Sequence, residues 1–172
     1  MMFDNVRLVH ENFPDKPLLF TEGTVDTFKV EDINNWRLGE YYGHSMINDF
    51  NDGAVGWTDW NVLLDEQGGP NHVGNFCHAP VLVDGATGIA HYQPSFHYIA
   101  HFSKFVRPGA VRVELRSDEP TLQSIAFANP DGGIVAVVSN PGDEARDFSL
   151  TLGEETQRCH VPGHAIHTYL RG

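Results

Sequence analysis

Cysteines and long apolar runs are scarce in this sequence, and each scarcity excludes a class of protein. The 172 residues include two cysteines, Cys77 and Cys159, which are too few for a disulfide scaffold and too far apart for a zinc knuckle. We therefore expect two reduced, structural thiols, with a single bridge between them as the alternative. No apolar run approaches the roughly 20 residues that span a bilayer, so we predict a chain that does not span a membrane.

Basic residues are also few, and no secretion signal is visible. The sequence has 11 lysines and arginines against 23 acidic residues, which gives a net charge of −12. That charge repels phosphate backbones, so nucleic acid is not an expected partner, whereas neutral and cationic ligands remain open. The start, Met1-Met2-Phe3-Asp4, has no basic segment followed by an apolar one. We expect a cytoplasmic protein, or a secreted one if the native N-terminus lies upstream.

A short apolar stretch that ends in a carboxylate organises the first half of the chain. Residues 18–20, Leu-Leu-Phe, are bounded by Pro17 and Gly23 and predict a buried strand of a parallel sheet. Glu22 then lies at the C-terminal end of that strand, which is where α/β barrels build their active sites. A solvated loop position is the alternative interpretation of Glu22. The chain is shorter than the roughly 250 residues of a complete eight-stranded barrel.

A helix and a second strand follow, and together with the first strand they predict a βαβ unit. Asp32 is expected to cap a helix over residues 32–50, in which Gly39 leaves room for close packing against a sheet. Residues 54–60 form the second strand, and a long polar loop over residues 64–76 comes after it. A strand–helix–strand connection requires parallel strands, so the loops after both strands leave the same edge of the sheet.

The hydrophobic pattern changes from helical to alternating near residue 110. Before the change, residues 79–83 predict a short strand, and residues 94–106 predict a helix that is apolar nearly all round, which indicates burial between two layers. After it, about six strands follow, with a hairpin turn at residues 130–133. Strands at such spacing are typical of a β-sandwich or part of one. We therefore place a domain boundary near residue 107.

Two tryptophans three residues apart lie at the end of the second predicted strand. The segment Trp57-Thr58-Asp59-Trp60-Asn61 combines aromatic faces, which stack on sugar rings, with an acid and an amide that bind hydroxyl groups. We expect Trp57 to belong to the core, and Trp60, nearer the strand end, to contact a carbohydrate. Residues 68–76 form a loop rich in glycine and asparagine, which either holds a ligand or only connects two elements.

Two histidines have a spacing that occurs in metal sites. His97 and His101 are four residues apart on a predicted helix, but no glutamate lies between them as in the HExxH pattern, and no third ligand is evident. The sequence also has no phosphate-binding loop and no dinucleotide fingerprint. We therefore expect neither a metal nor a cofactor.

Ten short segments, in one order over nearly the whole chain, carry a family resemblance. They are Leu19-Phe20-Thr21-Glu22, Arg37-Leu38-Gly39, His44-Ser45, Gly56-Trp57-Thr58-Asp59-Trp60-Asn61, Gly68-Gly69-Pro70-Asn71, Asn75-Phe76, Gln93-Pro94, His101-Phe102-Ser103-Lys104-Phe105, Asn129-Pro130-Asp131-Gly132 and Ile166-His167-Thr168-Tyr169-Leu170. Together these segments resemble the C-terminal part of the glucosylceramidase (acid β-glucosidase) family, glycoside hydrolase family 30.

The resemblance implies a fold, an activity and three site residues. It implies the last two strand–helix units of a (β/α)8 TIM barrel over residues 1–107, followed by an antiparallel β-sandwich over residues 108–172. It also implies a retaining β-glycosidase in which Glu22 is the nucleophile and Trp60 and Asn75 line the sugar pocket. At position 23 the family often has alanine, and we expect the glycine here to loosen the loop.

The resemblance also implies an acid/base glutamate on the fourth barrel strand, upstream of residue 1. The nearby carboxylates Asp26, Asp59 and Glu66 do not match that position. Retaining hydrolysis requires two carboxyl groups, so we expect a C-terminal fragment that binds β-glucosides such as glucosylceramide but is inactive alone, and that self-associates through its incomplete barrel. The alternatives are a non-catalytic carbohydrate-binding or interaction module, which uses Trp60 and the loop at residues 68–75, and a structural remnant.

Overall fold

The computed structural model describes residues 3–25 and 27–172. The chain forms two compact units, the first ending at Tyr98 and the second beginning at Ile99. No helix among the described residues has the length and apolar character needed to cross a membrane. Both cysteines, Cys77 and Cys159, are buried free thiols.

The described residues of the first unit form two helices, five strands, a 3₁₀ turn and the start of a third helix. In chain order these are α1 (Phe3–Asn12), β1 (Leu18–Gly23), the 3₁₀ turn (Val30–Asp32), α2 (Trp36–Asn51), β2 (Ala54–Asp59), β3 (Leu63–Asp65), β4 (Val81–Val83), β5 (Ala90–Tyr92) and α3 (Pro94–Ser103).

The predicted βαβ unit is present, because β1 and β2 pair in parallel on either side of α2 in the sequence. A second sheet has the order β3-β4-β5, with β3 parallel and β5 antiparallel to β4. A loop was predicted where β3 lies, and β5 was not predicted. Each of these strands has only three residues, which is too short to show a period-two pattern.

The prediction that Asp32 caps α2 is wrong, because the helix begins at Trp36 with Asn35 as its N-cap. The side-chain Oδ1 of Asn35 accepts a hydrogen bond from the Arg37 N–H at 3.1 Å. Between these positions, Asn34 has a φ of 63° and its N–H donates to the buried Gln93 Oε1 at 2.8 Å. A helix cannot continue through a positive φ, so this tertiary contact sets the start of α2.

Helix α2 packs closely at Gly39, but its partner there is an aromatic ring rather than a sheet. A Cβ placed on Gly39 would lie 2.5 Å from Cδ2 of Tyr98 on α3. Tyr98 is fully buried, whereas Phe96 and His97 on the same helix are exposed. The expectation that α3 is buried between two layers is therefore wrong, because its buried residues lie on one face of the helix.

The second unit contains the six predicted strands. They are β6 (Val111–Val113), β7 (Gln123–Ala128), β8 (Ile134–Asn140), β9 (Arg146–Leu152), β10 (Glu155–Val161) and β11 (Ala165–Arg171). Four form an antiparallel sheet of order β11-β8-β7-β6, and β9 and β10 form a separate antiparallel hairpin. The hairpin predicted around residues 130–133 is the β7–β8 pair.

The core of the second unit joins its sheet and its hairpin. Ala126 and Ala136 from the sheet cluster with Leu150, Leu152 and Cys159 from the hairpin. Side chains from the four-stranded sheet thus pack against side chains from the hairpin, as in part of a β-sandwich. The proposed domain boundary near residue 107 stays a prediction, since the compact units themselves divide within α3.

Candidate active site at the ends of two parallel strands

Glu22 lies at an irregularity near the C-terminal end of β1. Phe20 pairs with Trp57 and Gly23 pairs with Asp59, so two residues of β1 stand opposite the single residue Thr58. Such a bulge redirects a side chain and is frequent beside active sites. Glu22 is exposed, and its carboxylate forms no hydrogen bond or ion pair with any other residue that the structure describes. The side chain is therefore accessible to a ligand.

Trp57 has the structural role that the sequence analysis favoured. Its indole stacks on Phe20 at 5.1 Å with an interplanar angle of 6°, and Nε1 donates to Asp49 Oδ2 at 3.2 Å. A Cβ on Gly23 would lie 2.0 Å from Cη2 of the same indole. The expectation that Gly23 loosens a loop is therefore wrong, because Gly23 is a buried strand residue that allows close approach of Trp57.

Trp60 follows β2 directly and presents an indole that is 48% exposed. Its backbone N–H donates to the Gly23 carbonyl at 2.7 Å, so the residue after Glu22 is hydrogen-bonded to Trp60 itself. Glu22 and Trp60 are therefore brought to the same edge of one parallel strand pair. An accessible indole and an accessible carboxylate at one edge of a strand pair form an arrangement that suits a pyranose ring.

Asp59, between the two tryptophans, is a partly buried acid with two donors on one oxygen. Its Oδ1 accepts hydrogen bonds from the Trp60 N–H at 2.8 Å and from the Tyr42 hydroxyl at 3.1 Å. Burial raises the pKa of Asp59 to about 6, against the two hydrogen bonds, which favour the ionised form. Burial is also the main cause that raises the pKa of the Tyr42 hydroxyl, and the Asp59 charge adds to it.

Asn75 lies in a loop whose shape is fixed by two polar side chains. Asp65 Oδ1 accepts from the N–H groups of Gln67 and Gly69, at 2.9 and 2.7 Å. Asn71 Oδ1 accepts from the Asn75 N–H at 3.1 Å, and its amide donates to the Asn75 carbonyl at 2.7 Å. Asn75 is exposed, so the loop presents its side-chain amide to solvent in a defined position.

The Asn75 loop is hydrogen-bonded to the segment that follows β1. The Phe28 N–H donates to the Phe76 carbonyl at 3.0 Å, and the His78 N–H donates to the Val25 carbonyl at 3.1 Å. The loops after the two parallel strands therefore meet, as the sequence analysis expected. Gly23, the residue after Glu22, is joined to Trp60 by a backbone hydrogen bond, whereas Asn75 is joined to this region only through its loop.

The other carboxylates considered for the acid role have different surroundings. Glu66 Oε2 accepts a hydrogen bond from the Gly85 N–H at 2.8 Å and so stabilises the turn at residues 85–87. Asp26 lies outside the described residues. Asp59 is the acid whose pKa is raised most clearly at the strand ends. The sequence analysis included Asp59 in a sugar-binding segment but missed its partner Tyr42, since no short motif links residues 17 apart on a helix and a strand.

Metal chemistry has no visible site in the described part of the chain. Within residues 3–25 and 27–172, no group of three or more His, Cys, Asp or Glu side chains could hold a metal ion. His101 Nδ1 instead lies 2.7 Å from Thr168 Oγ1. The second unit has an open cavity of about 820 Å³ lined by charged and apolar side chains, but none of the three predicted site residues lines it.

Family models match both halves of the chain. The model for the glycosyl hydrolase family 30 TIM-barrel domain matches residues 4–106, and the model for the family 30 β-sandwich domain matches residues 109–169. Lysosomal acid glucosylceramidase of Mus musculus is 39% identical over 168 residues, which are 94% of this chain and 32% of that protein.

Solved structures agree with these matches. SrfJ from Salmonella typhimurium superposes with a TM-score of 0.91 at 36% identity, over 98% of this chain and 37% of SrfJ. The endo-β1,6-glucanase BT3312 gives a TM-score of 0.85 at 26% identity, over 98% of this chain and 38% of that chain. This chain therefore spans about a third of the length of the relatives it matches. It carries a TIM-barrel portion and a β-sandwich domain, and it belongs to glycosyl hydrolase family 30.

Proposed function

We propose that this chain supplies the nucleophile of a retaining β-glycosidase of the glucosylceramidase type, which hydrolyses β-glucosides such as glucosylceramide. One observation carries the proposal: Glu22 is an accessible carboxylate at a bulge of β1, and the next residue is hydrogen-bonded to Trp60, whose indole is 48% exposed. The name and the 39% identity of the mouse relative support the choice of substrate class.

The proposed chemistry uses Glu22 to attack the anomeric carbon of the sugar. The carbon–oxygen bond to the leaving group breaks as the bond to the Glu22 carboxylate forms, and water later releases the sugar from this ester. Trp60 offers an apolar face for the pyranose ring, and the Asn75 amide can bind sugar hydroxyl groups. These roles need an accessible carboxylate, indole and amide, and all three side chains are exposed.

The second carboxyl group is proposed to come from a different barrel segment. The resemblance assigns none of the 172 residues to the family acid/base position, and proton transfer to the leaving oxygen contributes about 10² to 10⁴ in rate. We therefore expect no steady release of p-nitrophenol from an aryl β-glucoside by the 172-residue chain. Steady release that is abolished by Glu22→Gln would overturn this part of the proposal.

A chimera tests the nucleophile directly. In it, the present chain replaces the matching C-terminal third of mouse lysosomal acid glucosylceramidase, so that the rest of the barrel is supplied. We expect hydrolysis of an aryl β-glucoside, and a fall of about 10³-fold or more with Glu22→Gln. Glu66→Gln, which removes a carboxylate that fastens a turn, is the matched control. Equal activity of the Glu22→Gln chimera and its parent would overturn the assignment.

The second candidate is a non-catalytic carbohydrate-binding module. Two features favour it, the exposed Trp60 and the Asn75 loop, whose shape is fixed by hydrogen bonds. In that case Trp60→Ala abolishes the binding of methyl β-D-glucoside, Glu22→Gln leaves it unchanged, and the chimera has no activity. The nucleophile proposal instead requires activity of the chimera that depends on Glu22. The comparison of the parent chimera with its Glu22→Gln variant therefore separates the two functions. Activity is lost on substitution if Glu22 is the nucleophile, and neither chimera is active if the chain is a binding module.

A further inference from the structure

We propose that Asp59 is a positioning residue of the candidate active site, because it holds the main chain at Trp60 and so fixes the indole on the strand pair that carries Glu22. The inference deepens the proposed function and rests on it for the role of Trp60 in sugar contact. Asp59 itself is not proposed to touch the sugar.

The Trp60 N–H lies between two acceptors. This group lies 2.7 Å from the Gly23 carbonyl and 2.8 Å from Asp59 Oδ1, so one donor is shared between β1 and the Asp59 side chain. Gly23 and Asp59 are also register partners. The backbone at Trp60 is therefore held from two sides at the point where the parallel pairing ends.

Asp59 is held by a buried residue, Tyr42. The Tyr42 hydroxyl donates to the same Oδ1 at 3.1 Å, and Tyr42 is only 2% exposed on α2. The Tyr42 ring lies 5.5 Å from the Trp57 ring, and Trp57 is hydrogen-bonded to the buried Asp49. The buried Tyr42 thus holds Asp59 in place. Hydrogen bonds from such supporting residues fix the geometry of the residues that bind a ligand.

One carboxylate oxygen of Asp59 has lost its contact with water and gained no protein partner among the described residues. Its Oδ2 is buried and has no hydrogen-bond partner among the described residues. A buried polar atom without a partner is unfavourable, and such exceptions concentrate at functional sites. Because both donors point at Oδ1, a proton on the carboxyl group resides on Oδ2.

Among the residues that the structure describes, the titratable groups around Asp59 lie on two elements and one loop. They are Tyr42 and Asp49 on α2, Glu22 next to Gly23 on β1, and Tyr41 and Cys77, which both act on Tyr42. Burial raises the pKa of Asp59 to about 6. An ionised acceptor makes the stronger hydrogen bond, so the Trp60 N–H reports the ionisation of Asp59.

The test is a pH titration of the Trp60 backbone amide in the ¹H–¹⁵N spectrum of the 172-residue protein. We expect its chemical shift to change with a midpoint near pH 6 in the wild type. The step disappears in Asp59→Asn, which keeps an acceptor oxygen but cannot ionise. It persists in Asp49→Asn, the matched control, because Asp49 bonds Trp57 instead. A flat Trp60 signal in the wild type, or a step retained in Asp59→Asn, would overturn the inference.

A second readout separates positioning from a merely structural role. Binding of methyl β-D-glucoside weakens about tenfold in Asp59→Ala, and Asp59→Asn restores most of the affinity because its Oδ1 still accepts. Unchanged affinity in a folded Asp59→Ala protein would overturn the positioning role. Absence of glucoside binding by the wild type would contradict the proposed sugar contact of Trp60 in this chain, whereas the Trp60 titration step alone still decides whether Asp59 holds that residue.

Discussion

At the scale of single residues, Gly23 and Asp59 form a register pair that determines how the site is built. Gly23 lets the Trp57 indole lie directly against the strand, and Asp59 connects Trp60 to α2 through Tyr42. Neither residue needs to touch a sugar to matter. Gly23 lies against Trp57, and Asp59 is hydrogen-bonded to the backbone of Trp60. We therefore expect substitutions at these two positions to change the free energy of unfolding.

Gly23→Ala is expected to destabilise the protein. The new Cβ would lie 2.0 Å from Trp57 Cη2, so the stacked indole must move, and overpacking of this kind costs about 1 to 3 kcal/mol. Urea unfolding measures the change in the free energy of unfolding. Gly85→Ala is the matched control, because a Cβ there meets Glu66 at 3.5 Å, which is ordinary contact. Equal effects of the two substitutions would contradict the packing argument.

The raised pKa of Asp59 predicts a pH dependence of stability. Burial raises this pKa from 3.8 to about 6, so between these pH values the folded protein keeps a proton that the unfolded chain has released. The Asp59 contribution to the free energy of unfolding therefore falls as pH rises from about 4 to 6, and is constant above that window. The Tm of wild type relative to Asp59→Asn should decline across it, and parallel Tm curves would contradict the prediction.

At the scale of elements, the β1-α2-β2 unit was predictable because its apolar runs and turn residues are strong local signals. The exact start of α2 was not, because the contact between Asn34 and Gln93 joins segments 59 residues apart. Glu22 and Trp60 were predicted to lie at one edge of the sheet because parallel strands place their C-terminal ends together, and β1 and β2 do pair in parallel. The Tyr42–Asp59 pair was missed because a buried helix tyrosine resembles an ordinary core residue.

The observed N-cap of α2 can be tested by substitution. Asn35→Ala removes the acceptor for the Arg37 N–H and should lower the free energy of unfolding by about 1 kcal/mol. Asn35→Ser keeps a capping oxygen and should lose much less. Thermal unfolding of the two variants provides the comparison, and equal losses from alanine and serine would show that capping at residue 35 contributes little.

At the scale of the whole molecule, the two-stranded parallel sheet of β1 and β2 exposes apolar side chains. Among the described residues β1 and β2 pair only with each other, and Leu19 and Val55 are 56% and 68% exposed. Exposed strand edges with apolar side chains favour association between chains. The net charge of −12 opposes it, most strongly at low salt.

We therefore predict concentration-dependent self-association that increases with salt. Light scattering should give a molar mass above that of the monomer, and Leu19→Lys should reduce it by placing a charge on β1. Ile89→Lys is the control, because Ile89 is similarly exposed, at 57%, but precedes β5. A monomer at high protein concentration in both low and high salt would contradict this expectation.

The central claim is that Glu22 is the nucleophile, and covalent labelling tests it most directly. The chimera with mouse glucosylceramidase is treated with 2-deoxy-2-fluoro-β-D-glucosyl fluoride, whose fluoride departs without a proton from the acid/base. Peptide mass spectrometry should find one 2-deoxy-2-fluoroglucosyl group on Glu22, and none on that peptide in Glu22→Gln. A stable label on any other carboxylate, with Glu22 unmodified, would contradict the account.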